Sequence, residues 1–114
     1  DRVPMRHMLD RVEAGEDDPA CAACGGIQRS ATIAFGQALD RAVLDTAIEA
    51  ASDCEVFLAA GTSLQVNPAA GLCRVAQRAG ARLVIANESM TPYDAVADAV
   101  LRGDLTEVLP AVMA

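Results

Sequence analysis

One stretch of the chain decides its fold: Val56-Phe57-Leu58-Ala59-Ala60-Gly61-Thr62-Ser63. The five apolar residues at its start have the length of a β-strand, and the lack of a polar position is typical of a strand covered on both faces. A second such run, Leu83–Ala86, ends at Asn87, and a segment with apolar residues at helical spacing, 69–79, lies between them. This order predicts a parallel βαβ unit with a right-handed crossover.

The segments on either side extend this alternation of strands and helices. The further predicted elements are a strand at Thr32–Phe35, a helix at Leu39–Ala51, a helix start at Asn67-Pro68, a capping-box turn at Thr91–Asp94, a strand at Ala99–Leu101 and a helix from Asp104 to Met113. Strands that alternate with helices over this length predict an α/β fold with a parallel sheet.

Composition limits the possible classes of protein. The 114 residues are enough for one domain, and 53% apolar with 22% charged residues is typical of a globular protein rather than a disordered chain. The net charge of −7 disfavours direct binding to nucleic acid or to an anionic membrane, so we expect neither as a partner. The first residues, Asp1–Met5, lack the apolar region of a signal peptide, and we expect a cytoplasmic protein.

Small polar residues follow both buried strands. Gly61, Thr62 and Ser63 come after the first strand, and Asn87 comes after the second. Because the carboxyl ends of parallel strands meet at one edge of the sheet, these residues predict a nucleotide site there. The alternative is that Gly-Thr-Ser is only a turn and Asn87 only a strand cap. The chain has no G-x-G-x-x-G and no phosphate-loop Lys, so a dinucleotide fingerprint is incomplete.

Four cysteines divide into one motif and two isolated residues. Cys21-Ala22-Ala23-Cys24, followed by two glycines, has the pattern of a zinc knuckle and offers two of the four ligands of a structural zinc. A redox C-x-x-C is the weaker interpretation, since that motif usually opens a helix after a strand. We expect Cys54 and Cys73 to be structural thiols in apolar surroundings and His7 to be a surface residue.

Four motifs together resemble one family. In chain order they are Cys-x-x-Cys-Gly-Gly-x-x-Arg at 21–29, Phe35-Gly36, Gly61-Thr62-Ser63-Leu64-x-Val66-x-Pro68-Ala69-Ala70, and Asn87. They resemble the C-terminal half of sirtuins, the Sir2-type NAD-dependent protein deacylases. The resemblance implies half of a zinc-ribbon module at residues 1–30. It also implies that residues 31–114 form the C-terminal part of an NAD-binding domain, with a partial Rossmann-like parallel sheet and flanking helices.

The resemblance also implies roles for individual residues, with NAD and Zn²⁺ as cofactors. The residues implied at the NAD site are Gly61, Thr62, Ser63, Asn87, Glu88, Ser89 and Leu105. Those implied to hold the acyl-lysine protein or peptide substrate are Phe35, Gly36, Gln37, Leu64, Gln65 and Val66, and the metal ligands are Cys21 and Cys24. The chain departs from the family at Ser30, where Pro is usual, and at Gln37, where Glu is usual.

The resemblance places the catalytic His, the first nucleotide loop and the first Cys pair upstream of Asp1. No catalytic residue is therefore assigned, and we expect the chain alone to be inactive. It would need an N-terminal half or a second copy of the chain as its partner. Two alternatives are a free-standing, non-catalytic nucleotide-binding or regulatory module, and a small zinc- or thiol-based interaction module.

Overall fold

The computed structural model describes residues 2–114, so Asp1, the first residue of the predicted zinc-module half, lies outside it. The chain forms two compact units, which meet in sequence between Ala38 and Leu39. The helices are α1 (Met5–Glu13), α2 (Arg41–Asp53), α3 (Leu72–Arg78) and α4 (Leu105–Met113), and the strands are β1 (Val56–Ala60), β2 (Arg82–Ala86) and β3 (Ala99–Leu101). Short 3-10 turns occupy Ala69–Gly71 and Asp94–Val96. No helix among these is long and apolar enough to cross a bilayer.

The three strands form one parallel sheet in the order β1-β2-β3, which confirms the predicted α/β class. Val56 pairs with Arg82 at one end of the first ladder and Ala60 pairs with Ala86 at the other. The register therefore puts the residue after β1 beside the residue after β2, at the carboxyl edge of the sheet.

The core lies between β1, β2 and α3. Its buried residues are Ala59, Leu64, Ala70, Cys73, Leu83 and Ile85. A second cluster joins α2 to α3 through three alanines, Ala51, Ala76 and Ala81, whose small side chains let the two helices approach closely. Burial of Cys73 in the first cluster raises the pKa of its thiol, as expected for a structural cysteine.

Capping side chains fix where two of the four described α-helices, α2 and α4, begin. Asp40 accepts hydrogen bonds from the backbone of Ala42 and Val43, so α2 begins two residues later than predicted. Asp104 caps α4 as expected, through the backbone N–H of Thr106 at 2.7 Å. The predicted cap at Asn67 is wrong, because the 3-10 turn there follows Pro68 and no side chain caps it.

The Thr91–Asp94 turn after β2 has one of the two bonds of the predicted capping box, and the other is shifted by one residue. The Thr91 N–H donates to the Asp94 carboxylate at 3.1 Å, and the Tyr93 N–H donates to the Thr91 hydroxyl at 3.3 Å. The side chains of Thr91 and Asp94 thus each accept a hydrogen bond from a backbone N–H at the start of the 3-10 turn. A polar pattern of four residues was enough to predict this local structure.

The unit that ends at Ala38 differs from the sequence prediction in two ways. Helix α1 was not predicted, although Met5, Leu9 and Val12 recur at helical spacing, and it buries no residue. The predicted strand at Thr32–Phe35 is wrong, since the segment has no strand structure and every residue in it is exposed. A strand needs a neighbouring strand for its backbone hydrogen bonds, and the described part of this unit contains none.

We predict that the isolated chain self-associates through β1. Within residues 2–114 this strand pairs only with β2, and Val56 and Leu58 are 55% and 48% exposed, so one edge and one apolar face are open. Light scattering after size exclusion should show Leu58→Lys shifted toward monomer. Val43→Lys, which changes an exposed Val on α2, should leave association unchanged. Equal effects of both variants, or a monomeric parent chain at micromolar concentration, would contradict this.

Candidate functional site

The turn after β1 requires glycine for two reasons. Gly61 has a positive φ of 64°, in the left-handed region that residues with a Cβ adopt only at a cost. A Cβ built on Gly61 would also lie 2.8 Å from Cδ1 of Leu105, at the start of α4. Its N–H donates to the Ala86 carbonyl at 2.9 Å, which extends the β1–β2 ladder by one residue. The turn is therefore held against both β2 and α4.

The rest of this loop is anchored by one buried side chain. Leu64 is only 7% exposed and packs in the main core cluster, although its φ of 53° is unusual for a residue with a side chain. Its N–H donates to the Thr62 hydroxyl at 3.2 Å. Ser63, between them, is exposed, and its hydroxyl has no hydrogen-bond partner in the part of the chain that the structure describes. Ser63 is therefore free to bind a polar ligand.

Asn87, after β2, uses its donors inside the protein. Its amide NH₂ donates to the carbonyl of Ser89 at 2.9 Å and to the Ser89 hydroxyl at 3.2 Å, and its backbone N–H donates to Leu101 at 3.1 Å. The side-chain oxygen accepts no hydrogen bond from residues 2–114, so Asn87 offers a ligand an acceptor. The sequence alone allowed both roles. Glu88 and Ser89 are exposed in the loop that follows.

Sequence reasoning missed Arg102, which holds this loop in place. Its guanidinium donates to the carbonyls of Asn87 and Ser89, at 2.9 and 2.7 Å, and forms an ion pair with Asp94. The Thr91 hydroxyl, with a further contribution from Arg102, lowers the pKa of Asp94 below its ordinary value. Arg102 directly follows β3, so the rule that pointed to Gly61 and Asn87, applied to the third strand, would have found it.

Taken together, the structure brings Gly61, Asn87 and Leu105 to one edge of the sheet. The register sets the first two side by side, and Leu105 lies against Gly61. The groups available there are a serine hydroxyl, an amide oxygen and an apolar side chain. Such a set can hold the hydroxyls and the flat ring of a nucleoside by hydrogen bonding and contact.

The predicted peptide segments lie one in each unit. In the first, Gly36 has a φ of 84° in a turn where the Gln37 N–H donates to Ala34 and the Ala34 N–H donates to the Gln37 side-chain oxygen, at 3.1 and 2.9 Å. Phe35 in this turn is 88% exposed. In the second segment, Gln65 and Val66 are exposed, whereas the Leu64 side chain is buried. Leu64 can therefore contact a peptide only through its backbone atoms.

The cysteine motif forms a tight turn with an acidic thiol. The Cys21 N–H donates to Gly26 at 2.9 Å, the Gly25 N–H donates to Cys21 at 2.8 Å, and Gly25 has a φ of 69°. Hydrogen bonds from the backbone of Ala23 and Cys24, and from the Cys24 side chain, lower the pKa of Cys21 to about 7. Residues 2–114 contain no group of three or more His, Cys, Asp or Glu side chains that could hold a metal ion.

Comparison with known proteins gives one consistent family. A protein-family model described as the Sir2 family matches residues 2–68. The chain is 54% identical over 112 residues to NAD-dependent protein deacetylase 2 of Streptomyces coelicolor, an alignment that covers 98% of this chain and 46% of that protein. It is 43% identical to the NAD-dependent protein deacetylase of Rhodopseudomonas palustris, of which it covers 43%. The chain thus spans about half the length of these relatives.

Solved structures agree with the sequence matches. The chain is similar to a complex of Sir2 with a p53 peptide and NAD⁺, with a TM-score of 0.76 and 32% identity over 97% of this chain and 46% of the other. Its parallel sheet with flanking helices matches the Rossmann-like fold of those proteins.

Substitution of Gly61 tests its close contact with Leu105 at the carboxyl edge of the sheet. We expect Gly61→Ala to destabilise the chain by about 2–3 kcal/mol, since the left-handed φ costs ~1–2 kcal/mol and the new Cβ meets Leu105. Gly80→Ala is the matched control: its φ is also positive, at 97°, but nothing lies within 4 Å of the new Cβ. Urea unfolding measures both. Adding Leu105→Ala should recover part of the loss in the Gly61 variant only. Equal losses at both glycines would show that the contact is not tight.

Proposed function

The chain belongs to the Sir2 family, and from this premise we propose that it is the C-terminal part of an NAD-dependent protein-lysine deacylase. The observation that carries the proposal is the carboxyl edge of the sheet, where Gly61, Ser63 and Asn87 offer a close backbone approach, a free hydroxyl and a free amide oxygen. The names of its relatives, NAD-dependent protein deacetylases, support the same activity.

In this proposal the nucleotide edge binds and orients NAD. Thr62 and Ser63 would hold phosphate and ribose oxygens, the Asn87 oxygen would accept from a ribose hydroxyl, and Leu105 would cover the adenine. Glu88 and Ser89 would form the exposed loop beside that ribose. Arg102 keeps this loop in place through its hydrogen bond to the Ser89 carbonyl. When bound, NAD would supply the nicotinamide ribose, whose C1′ carbon is attacked by the acyl oxygen as nicotinamide leaves. The residues of this chain would hold the phosphates and the adenosine part of NAD, and in this proposal the base that completes the reaction comes from another part of the protein.

The substrate is an acyl-lysine peptide that lies as an added strand. The Phe35–Gln37 turn and the Leu64–Val66 segment supply the backbone groups for it. Backbone pairing of this kind gives affinity with little demand on the peptide sequence. The exposed Phe35 and Val66 side chains support it, since each is apolar and open to a partner.

Cys21 and Cys24 act in the proposal as two ligands of a structural zinc. The acidic thiol of Cys21 suits a metal ligand, because zinc binds the thiolate. Cys73 is sealed in the core and the Cys54 thiol donates to the Ala51 carbonyl, so neither is arranged as a third ligand. The other two thiolates then come from outside residues 2–114 or from a second chain. On this basis residues 1–30 are half of a zinc module, and residues 31–114 are the NAD-binding part.

The activity test compares the chain with the complete protein that contains it. We expect the chain alone to give no NAD-dependent removal of acetyl groups from a lysine peptide, and the complete protein to give it. In the complete protein, Ser63→Ala should raise the KM for NAD about fivefold, the effect of one lost hydrogen bond. Ser52→Ala, which removes a hydroxyl bonded only to Ile48 within α2, should leave it unchanged. Nucleotide binding without turnover in the complete protein would instead support a regulatory module.

The zinc proposal has a separate test in metal content. The complete protein should hold one zinc per chain, which Cys21→Ser or Cys24→Ser removes and Cys54→Ser does not. The chain alone should lose zinc to a mild chelator, because two thiolates leave the ion open to exchange. Zinc affinity should fall as the pH drops below about 7, where protons compete for the Cys21 thiolate. Tight binding of one zinc by the chain alone would refute the shared site.

A further inference from the structure

Arg102 joins the ends of two neighbouring strands. It directly follows β3, and its guanidinium donates to the carbonyls of Asn87 and Ser89, in the loop after β2, at 2.9 and 2.7 Å. Hydrogen bonds from one planar guanidinium to two carbonyls fix both the position and the direction of the loop backbone. Because β2 and β3 pair with each other, these bonds are made entirely within the unit that begins at Leu39.

An ion pair with Asp94 holds the guanidinium itself. The Asp94 carboxylate also accepts from the Thr91 N–H at 3.1 Å and from the Thr91 hydroxyl at 2.6 Å, so it is fixed on the side away from Arg102 as well. Thr91 is buried and the Asp94 side chain is only 18% exposed, so the local dielectric is low and these bonds are strengthened. Arg102 therefore binds the loop carbonyls from an anchored position.

The chain that leaves Arg102 carries a second wall of the candidate nucleotide site. Gly103 has a φ of 136°, and a Cβ built on it would lie 3.1 Å from Cγ2 of Val108 in α4, so this turn is tightly packed. Asp104 then caps α4, whose first residue is Leu105. Arg102 is thus connected to both walls: to the loop after β2 through hydrogen bonds, and to Leu105 through a short and rigid turn of the chain.

We infer that Arg102 is a positioning residue that sets the affinity of this site for the adenosine half of NAD. The inference rests on the proposed function, in which Asn87 binds the adenine ribose and Leu105 covers the adenine. A loop that samples several conformations binds only in proportion to the time it spends in the competent one. The guanidinium holds the loop in one conformation before the nucleotide arrives, which lowers the ordering cost of binding. In this role Arg102 acts through the loop.

The test measures NAD and peptide binding separately in the complete protein. Arg102→Gln removes the charge and the forked donor. It should raise the KM for NAD about tenfold, the change expected if the loop is then competent about one tenth of the time. The dissociation constant of ADP-ribose, which contains the adenosine half and lacks nicotinamide, should rise by the same factor in calorimetry. The KM for an acetyl-lysine peptide at saturating NAD should stay at the parent value.

Further variants separate positioning from general damage to the fold. Arg102→Lys keeps a charge beside Asp94 but lacks the planar fork, so it should raise the KM for NAD by less than Arg102→Gln does. It also decides the question if the Gln variant does not fold. Asp94→Asn should raise this KM too, and its effect should not add to that of Arg102→Gln, since both break one network. Arg78→Gln, a matched change at an exposed position on α3, should have no effect.

The possible failures are distinguishable. If acetyl-lysine peptides turn over and both Arg102 variants keep the parent KM for NAD, this inference is wrong and the proposed function stands. If the KM for the peptide rises together with that for NAD, Arg102 has only a general structural role, and the inference is again wrong. If no acetyl-lysine peptide turns over in an NAD-dependent manner, the proposed function and the inference are both wrong.

Discussion

The parallel pairing of β1 with β2 is the constraint on which the rest of the structure depends. The hydrogen bonds between strands continue past the strand ends. The Gly61 N–H donates to the Ala86 carbonyl, and the Asn87 N–H donates to the carbonyl of Leu101 on β3. Each loop at the carboxyl edge therefore leaves the sheet from a fixed point and in a fixed direction. Because a parallel pair needs a crossover between its strands, the same pairing also requires α3 and determines which face of the sheet it covers.

The loop at Leu64 shows how this core supports the site. A residue with a side chain in the left-handed region costs about 1–2 kcal/mol. Full burial of a leucine side chain contributes about 1.5–3 kcal/mol, and Leu64 is almost completely buried between Ala59, Ala70 and their neighbours. Burial outweighs the strain, so the core itself holds the loop in its shape. The position of the exposed Ser63 is therefore determined by its almost fully buried neighbour, Leu64.

Sequence patterns predicted the sheet well because its signals are local. A run such as Val56–Ala60 is long enough for a strand and too short for a helix, and Gly61 and Asn87 mark where two runs end. Thr32–Phe35 has similar composition but becomes no strand, since a strand exists only if a partner is present. That information is not in the segment itself. Helix α1 was missed for a different reason. Its apolar residues recur at helical spacing, but charged residues lie between them and none of the helix is buried.

The position of the candidate-site residues at the strand ends was predictable from the sequence, but their hydrogen-bond partners were not. The rule that ligand-binding residues follow strand ends identified Asn87. Its side-chain NH₂ group, however, donates to Ser89 in the loop that follows. That loop is held by Arg102, which lies fifteen residues after Asn87. Leu64 was assigned to the peptide from its motif, but its side chain serves the core. In both cases a residue has a local role and a tertiary one, and only the second is visible in three dimensions.

Three ionisable groups in the unit that begins at Leu39 have shifted pKa values with structural causes. Asp94 and Asp104 have lowered pKa values because the hydroxyls of Thr91 and Thr106 donate hydrogen bonds to their carboxylates. Both residues stand at the start of a helical turn. Cys73 has a raised pKa because it is buried in the core. Shifted values often mark catalytic groups, but structural hydrogen bonds produce them as well, and these three have structural causes. At the carboxyl edge of the sheet the groups open to a ligand are a backbone turn, a hydroxyl and an amide oxygen. These can bind and orient, whereas a general base must gain and lose a proton near neutral pH. The groups described at this edge are therefore suited to binding and orienting a ligand.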